Sequence, residues 1–139
     1  MIQRQPNATD VIAALNLDSH VEGGYYRRTY QADHRDCLQT QHLHLGDAIE
    51  YNLIHAHGLL QTLVMGSDVL AGQQLQLHVP GGIWKASRLL EGSNGFGLIS
   101  EAVSPGFDFA DMEIGNRAKL TAQFPQHGAL IEKLTRDDE

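Results

Sequence analysis

Between residues 42 and 103 the chain repeats one pattern, a short stretch of strand-like residues closed by a glycine turn. Residues 42–45 alternate and stop at Gly46-Asp47. Residues 48–56 place Ile49, Tyr51, Leu53 and His55 on one face and Glu50, Asn52 and Ile54 on the other. Residues 59–65 end at Gly66-Ser67-Asp68, and residues 74–79 set Leu75, Leu77 and Val79 against Gln74, Gln76 and His78. Pro80-Gly81-Gly82 leads into residues 83–90, and residues 95–103 form the last such stretch before Pro105-Gly106. A period of two is the signature of a strand with one buried face. Many short strands without helices between them exclude βαβ units and predict an antiparallel sandwich or barrel.

Helices are expected only at the ends. Asn7 or Thr9 caps one running through residues 10–15, where Asp10 suits the positive end of the helix dipole. Pro125 opens another that reaches Leu134, with Leu130, Ile131 and Leu134 as its apolar stripe. Residues 25–30, rich in aromatic and β-branched side chains, are expected as a strand, and residues 31–40 as a polar loop. The fold class expected is therefore all-β with flanking helices, in one domain spanning residues 1–139.

The balance of 10 Lys+Arg against 17 Asp+Glu gives a net charge of −7, the wrong sign for a nucleic-acid or anionic-membrane surface. No apolar run approaches the roughly 20 residues that span a bilayer. The first residues carry no apolar signal core, and the single Cys37 has no partner for an internal disulfide. A cytoplasmic location is the expectation. No glycine-rich nucleotide loop, nucleophile elbow or Cys-x-x-Cys pair is present.

Eight histidines carry much of the chemical interest. His42 and His44 lie two apart, so on a strand both point to one side, and Glu50 follows across a turn as an oxygen donor. A divalent metal held by His42, His44 and Glu50 is one reading. The competing one puts Leu43 and Leu45 on the core and both histidines in water. Trp84 and Lys85, delivered by the Pro80-Gly81-Gly82 turn, offer an indole to stack on a ligand and an ammonium to pair with an anion. Arg27 or Arg28 offers a guanidinium for a phosphate or carboxylate. Asp108 and Asp111 suit turn-forming and capping work.

Four ordered segments carry a resemblance: residues 17–30 (LDSHVEGGYYRRTY), residues 79–86 (VPGGIWKA), residues 103–113 (VSPGFDFADME) and residues 124–127 (FPQH). They resemble the Cupin-5 branch of the cupin superfamily, an uncharacterised family whose members are described as predicted sugar epimerases. The resemblance implies a cupin-type jelly-roll β-sandwich or barrel, a homodimer, and a pocket inside the barrel. The epimerase description rests on similarity to deoxysugar-nucleotide epimerases, which use a His–Asp pair and no metal.

This chain departs from the family pattern between its first strand and the pocket. Only ten residues separate Tyr30 from the segment beginning at Gln41, where the family carries about two further strands. By that alignment Gln39 stands at a Glu position and His42 retains the family His. Lys85 replaces a Gln that itself stands where metal-binding cupins place a His, and Glu101 falls where the family often has Cys.

Three readings follow. The leading one is a small polar or anionic ligand, such as a sugar derivative, bound in the barrel by His42, His44, Trp84 and Lys85, with Arg27 or Arg28 as anion partner. The second is a metal-independent isomerase or epimerase acting on a sugar or sugar nucleotide, with His42 or His44 as base and Glu50 or Glu101 as partner acid. The third is a non-catalytic dimerising module, because a shortened segment leaves sheet edges to be paired. No cofactor is expected in the first two.

Overall fold

A computed structural model describes residues 6–29, 38–104 and 106–136. The chain opens with α1 (Ala8–Leu15), whose N-terminus closes a reciprocal cap: Asn7 accepts from the Asp10 N–H and Asp10 accepts from the Asn7 N–H. A two-residue ladder of β1 (Asp18–Ser19) with β2 (Tyr25–Tyr26) follows. Strand structure stops at Tyr26, short of the stretch expected over residues 25–30, and Tyr30 lies outside the described residues.

Two three-stranded antiparallel sheets make the body. In the first, β3 (Leu38–Gly46) runs between β6 (Gln76–Pro80) and β8 (Gly97–Ser104). In the second, β4 (Ile49–Ile54) runs between β5 (Leu60–Met65) and β7 (Trp84–Leu89). β3 begins at Leu38, inside the stretch expected as a loop over residues 31–40; residues 31–37 of that stretch lie outside the described residues. Its polar start is held in strand form by ladders on both sides, from Leu38↔Pro80 and Leu38↔Ser104 onwards.

The sheets face each other across one core. Ile49, Tyr51 and Leu53 of β4 and Met65 of β5 meet Leu77 and Val79 of β6, with Leu43 and Ile99 of the first sheet packed against them. Burying such side chains contributes about 1.5–3 kcal/mol each. The alternation read from residues 48–56 and 74–79 therefore reports the sandwich interior.

β4 is buried on its other face as well. There Ile54 joins Leu120 and Phe124 of α2 (Arg117–Gln123) and Ile131 of α3 (Gly128–Leu134), with Leu60 and Trp84 alongside. Helix α2 is absent from the sequence expectations, because its seven residues carry no sustained apolar stripe. The Asn116 side chain caps it by accepting from the Lys119 N–H. The expected Pro125 helix divides into a short 3-10 turn, Pro125–His127, and α3.

The β3–β4 corner is built on Gly46, at φ 98°, where any Cβ would run into the Phe96 carbonyl. Asp47 beside it accepts from the N–H groups of Asn94 and Gly95. Burial pushes its carboxyl up, but these hydrogen bonds and those from the Asn94 amide and the Ser93 N–H outweigh it and hold it below the usual value.

Candidate functional site

Alternation assigns the faces from which a site can be built. On β7, Lys85 stands opposite Leu53, a core residue, and so enters the space between the sheets. Its neighbour Trp84 stands opposite Ile54 and packs under the helices. The turn that delivers both thus sends them to opposite faces. Trp84 belongs to the helix-covered cluster and does not share a pocket with Lys85.

On the opposing sheet, Gln39, Gln41 and Leu43 of β3 share the inward face, with Leu43 on the core. Gln41 is paired with Glu101 of β8, which brings that carboxylate to the same side. Lys85 crosses from one sheet to the other and joins these groups. Its Nζ donates to Gln39 Oε1 at 2.7 Å and to Glu101 Oε1 at 2.9 Å. The same Glu101 oxygen accepts from Gln41 Nε2 at 3.1 Å.

The network has a wet end and a dry end. The side chains of Lys85 and Glu101 are 23% and 32% exposed, whereas Gln41 is 1% exposed. Gln41 Oε1 has no hydrogen-bond partner, and it is the one buried side-chain polar atom in that state among the described residues. An unpaired buried acceptor costs about 1–3 kcal/mol. Tyr51 of β4 lies near enough to feel Glu101: burial first, then that negative charge, push its phenol up to about 12. It stays protonated at any physiological pH.

The histidines lie elsewhere. His42, on the outward face of β3, accepts from the Gln76 amide at 2.8 Å. His44 is the extra residue where the register slips between Leu43 and Leu45, and its Nε2 meets Ser100 Oγ at 2.7 Å on the same outer side. His78 joins them there through Thr40 Oγ1 at 3.0 Å. Glu50 lies on the outward face of the other sheet, bound to Arg88 by Nε at 2.7 Å and Nη2 at 3.0 Å. The structure therefore sets His42 and His44 on one outer side and Glu50 on the opposite one, so the three do not converge on a metal ion. His42 and Glu101 point to opposite faces of their sheet and do not form an acid–base pair.

The remaining candidates are also separate from the interior network. Arg27 is exposed on the segment after β2. The Arg28 guanidinium lies 5.6 Å from the centre of the Phe107 ring. Asp108 accepts from the Ala110 N–H at 2.9 Å and caps the turn Phe109–Asp111. Of the predicted site residues, Lys85 and Glu101 meet. Gln39, Gln41 and Tyr51 were missing from the set. Starting the strand at Leu38 would have exposed the glutamines, since Gln39 and Gln41 then lie in phase with the core residue Leu43.

The resemblance noted in the sequence raises the question of a metal in this interior. The donor set does not suit one: it holds one carboxylate, no imidazole, and an ammonium already bonded to the carboxylate oxygen a cation would need. Among the described residues no group of three His, Cys, Asp or Glu side chains is placed to hold an ion. No described helix is long and apolar enough to cross a membrane.

Comparison with known proteins finds relatives of this chain. A family model, Cupin_5: Cupin superfamily (DUF985), matches residues 34–115. The crystal structure of protein SO0799 from Shewanella oneidensis is 31% identical, with a TM-score of 0.87 over 96% of this chain and 100% of that one. A hypothetical protein from Leishmania major is 26% identical, with a TM-score of 0.87 over 95% of this chain and 100% of its own. The uncharacterized protein YML079W of Saccharomyces cerevisiae is 48% identical over 65 residues, 45% of this chain and 32% of that protein. This chain thus matches about a third of the length of that yeast relative.

Proposed function

The chain belongs to the Cupin_5 family of the cupin superfamily (DUF985), and on that premise we propose that it binds a small polar molecule between its two sheets, at the Lys85–Glu101–Gln41–Gln39 network. One observation carries the reading. A charged pair and two amides occupy inward positions of a sandwich whose other inward positions are apolar. Such a cluster stabilises a fold poorly compared with well-packed apolar side chains. A ligand that uses its open valences gives it a purpose.

The ligand reaches the network from the ion-pair end, where Lys85 and Glu101 meet solvent. Neither Trp84 nor the histidines of the outer face take part. The test is protein-observed NMR with a set of small polar metabolites. Saturable shifts are expected at Lys85, Glu101 and Gln41, and saturate only at about tenfold higher concentration in Lys85→Met. Shifts confined to the outer-face histidines, or none at all, overturn the reading.

A second reading, epimerisation beside a carbonyl, is favoured by the carboxylate of Glu101 standing 2.9 Å from the Lys85 ammonium. Glu101 would remove the proton, Lys85 would polarise the carbonyl oxygen and stabilise the enolate, and inversion would follow when a solvent proton is returned to the opposite face of the carbon. Its signature is solvent deuterium entering a sugar or sugar-nucleotide substrate in D2O, abolished by Glu101→Gln and untouched by His42→Asn. Unlabelled substrate across such a panel removes this reading and leaves binding in place.

A further inference from the structure

The interior network fixes its own polarity, and that polarity selects the chemistry of what fits beside it. This step rests on the proposed binding role of the same residues. A lysine ammonium only donates, so the oxygens of both its partners must face it: Gln39 Oε1 and Glu101 Oε1. Since Glu101 accepts, the Gln41 amide must turn its nitrogen toward the carboxylate. Flipping that amide would set two oxygens against each other. The group left over at the dry end is therefore an acceptor, Gln41 Oε1, without a partner in a residue 1% exposed. The ammonium has three protons, and two are used within the network.

The network thus leaves one unpaired acceptor, buried on Gln41, and one ammonium proton of Lys85 outside its own bonds, on side chains that share a single carboxylate oxygen. Its charges, Lys85 and Glu101, already cancel. A carboxylate accepts from Lys85 but cannot donate to Gln41; a phosphate can donate only through a residual P–OH; and either brings a second negative charge beside Glu101. An organic ammonium donates to Gln41 but meets the Lys85 charge. A ketone or ester satisfies Lys85 alone. An alcohol both donates and accepts, and carries no charge. We propose that the site takes an uncharged polyhydroxyl compound, a free sugar or polyol, through hydroxyls that donate to Gln41 Oε1 and accept from Lys85 Nζ. This narrows the small polar or anionic class expected from the sequence to its neutral members and places sugar phosphates and sugar nucleotides among the poor ligands.

The experiment follows the side-chain amide signals of Gln41 and Gln39 in the full chain during parallel titrations. The probes are D-xylose, D-glucose and meso-erythritol on one side, and inorganic phosphate, malonate and methylammonium on the other. Saturable movement of the Gln41 amide with at least one neutral polyol, tighter than with any charged probe, is the expected result. Gln41→Met, which keeps the side-chain length and removes the acceptor, weakens that polyol about tenfold, the loss of one hydrogen bond of about 1.4 kcal/mol. Lys85→Met does the same, and His78→Ala on the outer face changes nothing.

Tighter saturation by phosphate, malonate or methylammonium overturns the neutral-polyol inference while leaving a binding site at the network. A polyol that binds Gln41→Met as well as the parent chain also overturns it. Silence of the Gln41 amide with all six probes removes both the inference and the binding proposal, and assigns Gln41 Oε1 to a water molecule. Should Gln41→Met fail to fold, the parent-chain titrations and Lys85→Met decide alone.

Discussion

Two ion pairs, both involving side chains of β7, do different work in this molecule. Arg88 reaches Glu50 on the next strand of its own sheet, residues in direct register. Glu50 is bonded by both oxygens, also accepts from Asn52, and Asn52 in turn accepts from Thr62. Lys85, three residues earlier and on the other face, leaves its sheet and meets Glu101 across the sandwich, in a network that ends on an unpaired oxygen. The first cluster is closed and lies on the helix-covered side of β4, near enough to Lys133 of α3 for its charge to act on Glu50. The second is open and faces the interior. A polar group whose bonds are all made supports the fold; one with a bond left over points to something outside the chain.

The sharpest way to break this contrast is to remove one cation at a time. Arg88→Met strips Glu50, whose side chain is 18% exposed, of its main partner. A lower urea midpoint is expected, by less than for a fully buried pair because Arg88 itself is partly solvated. A change below about 0.5 kcal/mol would make the two pairs equivalent and dissolve the distinction.

Acid titration probes the closed cluster without mutation. Hydrogen bonds from Arg88 and then Asn52 hold the Glu50 carboxyl at about 2, against an ordinary 4.5. A depressed carboxyl contributes its stability in full above pH 4.5 and loses it as pH falls toward 2. About 1–2 kcal/mol, after solvent screening, should disappear across that window. Glu50→Gln should flatten the limb between pH 4.5 and 2. An unchanged limb in that variant would locate the acid sensitivity elsewhere.

Lys85→Met sharpens the contrast from the other side. Glu101 is exposed enough to rehydrate, so stability should move by less than about 1 kcal/mol, in either direction. Polyol affinity should fall about tenfold. Strong destabilisation would make Lys85 a structural residue like Arg88.

The smallest effects are expected on the outer face of β3. His42→Ala and His44→Ala replace side chains whose partners, Gln76 and Ser100, can turn to water. Their stability should stay within about 0.5 kcal/mol of the parent, and their polyol affinity should be unchanged. Loss of binding in either variant would return the histidines to the site.

Local pattern made the sheets legible but not the site. Ile49, Tyr51 and Leu53 could be placed on one face because a strand's side chains alternate whatever surrounds it. The same rule, applied from Leu38 instead of His42, puts Gln39 and Gln41 on the core side of β3. Their polarity made residues 31–40 resemble a loop, and only ladders to β6 and β8, distant in sequence, hold Leu38, Gln39 and Thr40 extended. Trp84 and Lys85 were joined by adjacency in sequence, which in a strand guarantees opposite faces.

Glycine turns and a period of two, both local consequences of backbone sterics and pleating, were enough to determine an all-β sandwich with terminal helices. Four ordered motifs were enough for its family. Which side of each strand became the interior was decided by the tertiary structure, because that depends on sheet meeting sheet. The same packing brought Lys85 to Glu101 across 16 residues of chain and Gln41 to Glu101 across 60. It also left one buried oxygen without a partner, a property of the assembled interior that no run of residues contains.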